Sequence, residues 1–141
     1  MRWLFFLSNT LHADLRQLFY AGQYVGDDAV RQQRYRLGAQ ARLSAHLTLL
    51  NNQYQLVDGS YLWGDDPTLV DIYLAVCLRW LQLYPLCDRG WFTLADYTYL
   101  LKMAGALQAR EPVINACRFE GITGAFFTQS QDAAPSAGSA L

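Results

Sequence analysis

The chain has 141 residues, the length of one domain, and its 52% hydrophobic content against 16% charge excludes a disordered protein. The net charge is −1, and Lys102 is the one basic residue that is not an arginine. With those arginines scattered over several segments, there is no electrostatic case for nucleic acid.

Residues 1–20 read as a helix, because Leu4, Leu7, Leu11, Leu15 and Leu18 follow the 3-4-4-3 spacing of a single apolar stripe. A second stripe holds Phe5, Ser8, Asn9, His12 and Arg16. The opening apolar run breaks at Ser8, too short for a signal peptide or a membrane span. AGQYVG at 21–26 reads as a loop, after which Asp27 or Asp28 caps a long second helix reaching about Tyr54. On it Leu43, Leu47, Leu50 and Tyr54 make a core stripe. Arg31, Arg34, Arg36 and Arg42 point elsewhere, and read as a solvated or dimer-facing edge in preference to the alternative, an anionic-ligand site. His46 has no acidic or cysteine partner in the pattern and reads as solvent-facing.

The stretch 61–83, YLWGDDPTLVDIYLAVCLRWLQL, combines a turn with an almost uncharged helix. Gly64 permits a tight turn, Pro67 fixes the entering backbone, and Thr68 with Asp71 forms a capping box in which Asp replaces the commoner Glu or Gln. Leu69, Ile72, Tyr73, Val76 and Trp80 recur at helical spacing, with Leu74 and Leu78 on other faces. A helix apolar nearly all round is expected at the centre of a bundle. Pro85, Asp88 and Gly90 break the chain before a fourth helix at about 93–109, whose apolar face is Leu94, Tyr97, Leu100, Leu101, Ala104 and Leu107. Pro112 suits the first position of a short fifth helix that Gly121 ends. The whole is an all-α bundle of about five helices around a central buried one, spanning residues 1–127. From Thr128 to Leu141 apolar periodicity is lost, and a disordered tail is expected. Cys77, Cys87 and Cys117 lack metal-ligand or C-x-x-C spacing, which points to reduced thiols in a cytoplasmic setting, with Cys77 a core residue.

YLWGDDPTLVDIYLAVCLRW resembles the conserved turn and core helix of the C-terminal, all-helical domain of glutathione transferases, with Val70 where alanine is usual. WLFFLSNTLH with Leu18 and Phe19 resembles the first helix of that domain in bacterial beta-class members. AREPVINACRFEGI is similar to its ending, so the likeness spans roughly residues 1–122. The resemblance implies glutathione as cosubstrate, no metal, and conjugation of glutathione to hydrophobic electrophiles. It also implies a homodimer through the first two helices, or a thioredoxin-like partner domain carrying most of the glutathione contacts. Without that N-terminal domain the chain is expected to be weak or inactive alone.

His12 is the candidate catalytic residue, since in beta-class enzymes a histidine at the matching LH position lies near the glutathione sulfur. A neutral imidazole accepts a thiol proton and a cationic one stabilises a thiolate; the alternative is a partly buried histidine bonded to a carbonyl. Asn9 occupies a family contact position. Phe5 stands where the family commonly has an asparagine that touches the glutathione backbone, and it cannot make those hydrogen bonds. Phe5, Trp80 and Tyr84 are expected near the apolar substrate, with Tyr73 and Trp91 as further pocket-lining candidates. Core packing accounts for Tyr73 and Trp80 equally well. The alternative function is a non-catalytic protein-protein interaction module of the same helical type, using an exposed apolar face. Neither partner class involves nucleic acid or a membrane.

Overall fold

A computed structural model describes residues 1–132 of the chain. Among them the regular structure is seven α-helices with no strand, the one β feature being an isolated bridge between Tyr61 and Gly64. The expected first helix is a continuous rod: α1 (Arg2–Phe6), a π-helical turn (Leu7–Leu11) and α2 (His12–Phe19). In that turn the His12 amide bonds to the carbonyl of Leu7, five residues back. One residue is thereby inserted into the rod, and Phe5 is rotated relative to His12 by about one residue step, roughly 100°. The stripe survives the insertion, with Leu7, Leu11, Leu15 and Leu18 fully buried. The predicted loop at 21–26 is instead mostly a short helix, α3 (Ala21–Val25), closed by Gly26 at φ 76°.

Helix α4 (Ala29–Gln55) starts at Asp28, whose carboxylate accepts the Arg31 amide at 2.9 Å. Its core stripe is the expected one, Leu43, Leu47, Leu50 and Tyr54, joined by Ala39. Helix α5 (Leu69–Leu83) follows a turn and opens with the capping box of Thr68 and Asp71. Asp71 does more than cap. Wholly buried, it accepts at Oδ1 from the Tyr54 hydroxyl at 2.6 Å and the Leu62 amide at 3.0 Å. At Oδ2 it accepts from the amide and the hydroxyl of Thr68, both at 2.7 Å. Four donors satisfy the buried charge and tie the end of α4, the 61–64 turn and the start of α5 to one point.

The orientation of α5 differs from the sequence expectation. Its buried side is Val70, Asp71, Leu74, Ala75, Cys77, Leu78 and Leu81. Leu69 is 63% and Ile72 43% exposed, and Tyr73, Val76 and Trp80 are half-buried. The stripe read as core is therefore the open face. When nearly every position is apolar, periodicity no longer says which side turns inward.

After two 3-10 turns (Arg89–Trp91 and Leu94–Asp96) come α6 (Thr98–Gln108) and α7 (Glu111–Phe119). The Asn51 side chain of α4 accepts the amides of Tyr99 and Leu100 in the first turn of α6. Pro112 is second rather than first in α7. Gly121, at φ 69°, ends that helix in a Schellman pattern: its amide bonds to Arg118 and that of Ile122 to Cys117. Residues 126–132 then return across α5. Buried Arg79 donates to the carbonyls of Phe126 at 3.0 Å and Gln131 at 2.6 Å, and Gln82 donates to that of Phe127. Arg89 pairs with Asp132 at 2.9 Å. Residues 128–132, expected to begin a tail without structure, are thus bonded to the bundle; the rest of that expected tail lies outside the described residues.

Candidate functional site

The candidate site lies where α2 passes the open face of α5. His12 Nδ1 and the Tyr73 hydroxyl are 2.7 Å apart, with the rings edge to face at 5.9 Å between centroids. Trp80, two turns along α5, stands 5.3 Å from the imidazole. Burial, and secondly the nearby Arg16 charge, lower the His12 pKa from its ordinary value. Burial, then Cys77, raise that of Tyr73. Both side chains are therefore neutral near pH 7. With the phenol donating to Nδ1, Nε2 carries the ring hydrogen; in the other tautomer Nε2 is an acceptor. The first form can donate from Nε2 to a thiolate, and the second can accept the proton of a thiol at Nε2.

The other sequence candidates divide. Asn9 is exposed on the preceding turn, and its carbonyl oxygen accepts from Ser8 at 3.1 Å rather than reaching His12. Phe5 is 58% exposed, and the π turn takes it out of alignment with His12. Tyr84 sits just past the end of α5, against Phe19, with centroids 5.3 Å apart. Its carbonyl accepts the Trp91 indole N–H at 3.2 Å. The structure therefore brings together His12, Tyr73 and Trp80, while Asn9 bonds to Ser8, Tyr84 packs on Phe19 and Phe5 is exposed. Tyr73, which core packing explained equally well, is the residue in direct contact with His12. The surroundings form an open wall. Two clefts lie elsewhere, one of about 410 Å3 beside Ile114, Arg118 and Phe126 and one of about 360 Å3 along Arg31, Arg34 and Arg42.

A second polar cluster corrects the reading of His46 and gives the exposed Arg42 a partner. Asp14, 7% exposed, accepts from Arg42 Nε at 3.0 and 3.1 Å and lies 3.0 Å from His46 Nε2. Arg42 also reaches Gln17, which accepts from the Tyr35 hydroxyl at 2.8 Å. The hydrogen bond to Asp14 raises the Arg42 pKa further above its ordinary value. His46 is half-buried, with Phe6 edge-on to its ring at 5.5 Å. This cluster joins α2 to α4 and faces no cleft through His46. The Asp14 pairings with Arg42 and His46 span 28 and 32 residues of sequence, and no local pattern announces them.

Cys77 is fully buried and burial pushes its thiol up to about 12, the behaviour of a core residue. Among the described residues no three His, Cys, Asp or Glu side chains converge as a metal site would need, and no helix is long and apolar enough to cross a membrane.

The family model described as glutathione S-transferase, C-terminal domain, matches residues 21–102, more than half of the chain. The chain belongs to that family. The match runs from α3 through the Thr68 capping box and α5 into α6, the part of the transferase-type domain that holds Asp71, Tyr73 and Trp80. No curated protein and no solved structure matches the chain.

Proposed function

We propose that the chain is the helical, substrate-facing half of a glutathione transferase, and that the His12 wall forms one side of a site completed by a thioredoxin-like unit. The supporting observation is the union of a neutral His12–Tyr73 pair with Trp80 on an apolar face left open by Leu69 and Ile72. On this reading the thioredoxin-like unit supplies most of the glutathione contacts. His12 is the catalytic residue next to the sulfur, with Asn9 as a further polar contact. Phe5, Trp80 and Tyr84 face the hydrophobic electrophile. The glutathione thiolate attacks the electrophilic carbon, a carbon–sulfur bond forms, and the displaced group departs with its electron pair; no metal takes part.

Alone, the chain is a weak or inactive catalyst, because a thiol of ordinary pKa stays protonated at neutral pH without a site that favours the thiolate. It works in the cytoplasm, either as a homodimer through the α1–α2 rod and α4 or against the thioredoxin-like unit. Calorimetry with millimolar glutathione, repeated on His12→Ala, tests the reading. Saturable heat that the substitution diminishes supports it; no heat removes glutathione binding by this chain.

The exposure of Phe5 where a polar contact is needed favours a second reading, a non-catalytic interaction module that uses the same face. A thioredoxin-like domain that binds the chain equally well with and without glutathione would favour it.

A further inference from the structure

Helix α4 concentrates charge unlike any other segment: it carries Arg31, Arg34, Arg36 and Arg42 and no acidic residue, although the whole chain is net −1. Arg31, Arg34, Gly38 and Arg42 follow one another at three- and four-residue steps, so they share one face. Together with Val25 of α3 and Tyr35 they line a cleft of about 360 Å3. Its walls are largely apolar, formed by the arginine stems, Val25 and the Tyr35 ring. Gly38 keeps the floor low, and a Cβ added there would lie 3.8 Å from Nη1 of Arg42.

The three arginines are not equivalent. Asp14 and Gln17 hold Arg42 through Nε and Nη2, which fixes its plane and leaves Nη1 over the floor. Arg31 is already 3.9 Å from Asp28. Among the described residues Arg34 makes no ion pair, so it brings the uncompensated charge, beside an Arg42 held in place by Asp14. One strong anionic group with several acceptor oxygens satisfies that set, and a planar guanidinium fork fits phosphate oxygens two at a time. The apolar walls require a body attached to it. Tyr24 stacks on Tyr35 at 5.7 Å and lengthens the apolar edge.

We infer that the Arg31, Arg34 and Arg42 cleft on α4 binds a phosphate monoester with a small apolar body. The site is separate from the His12 wall and does not depend on the function proposed for it. Phenyl phosphate, titrated calorimetrically into the full chain at low salt, is expected to bind saturably and more tightly than inorganic phosphate, and benzyl alcohol is expected not to bind.

Arg34→Gln is expected to weaken phenyl phosphate about tenfold, the loss of one charge-assisted contact. Gly38→Ala raises the floor by one carbon and is expected to weaken binding, without loss of helical content or melting temperature, because the added Cβ meets only an ordinary contact. Arg118→Gln, in the other cleft, is expected to change nothing. The assignment is overturned if phenyl phosphate gives no saturable heat or is matched by inorganic phosphate. Unchanged affinity in Arg34→Gln also overturns it, as does an Arg34→Gln effect that appears as altered sedimentation instead of altered affinity, which would make the arginines an interface.

Discussion

The two sides of α5 carry similar residues and do opposite things. One side, with Leu74, Leu78 and Leu81 fully buried around the Asp71 hub, holds α4, α6 and the 61–64 turn together. The other presents Leu69 and Ile72 to solvent and offers Tyr73 and Trp80 to His12. Hydrophobicity alone does not separate a buried face from an open one. What separates them is a saturated buried carboxylate on one side and exposed apolar side chains on the other.

That contrast can be broken from the structural side first. Asp71→Ala strands four donors at once and is expected to cost about 3–5 kcal/mol, measured by urea unfolding. A loss below about 1 kcal/mol would deny Asp71 its role as the hub. Leu78→Ala, in the fully buried row, is expected to cost about 2–5 kcal/mol in the same assay. On the open side, Tyr73→Phe removes one hydrogen bond to His12, with an expected loss of about 1 kcal/mol. NMR titration of His12 in that variant reports whether the imidazole loses its partner.

A smaller effect is a dependence on pH. The folded pKa of His12 lies below its ordinary 6.5, so in the window just under that value the unfolded chain binds more protons. Stability therefore rises with pH through that window, reaches its full value above it, and is lost on acidification. His12→Gln is expected to flatten this part of the stability profile. Least of all, Ile72→Ser is expected to change stability by no more than about 0.5 kcal/mol, since it removes exposed surface. The same substitution is expected to weaken any thioredoxin-like domain that covers the wall, read by calorimetry between the two.

Local signals gave away most of the architecture. The leucine row of the first rod, the α4 core stripe, the Thr68 capping box and the Gly121 stop all depend on neighbours within a turn or two, and all are present. What escaped has no local signature. The π turn leaves no residue mark, yet it turns Phe5 away from His12. Asp14 meets His46 only after α2 and α4 have packed, so His46 read as solvent-facing. Leu69 and Ile72 read as core because every face of α5 is apolar, and only the arrangement of neighbouring helices selects the one left open. At the candidate site, His12 and Trp80 were visible through the family pattern, whereas the bond to Tyr73 joins residues 61 positions apart.

The return of residues 126–132 across α5 has a practical side. Buried Arg79 meets main-chain oxygens of Phe126 and Gln131 there, so cleavage near Gly124 would leave a guanidinium in the interior without acceptors. Protease nicking at that point should loosen the middle of the domain, and a shortened version intended for expression needs to keep everything through Asp132.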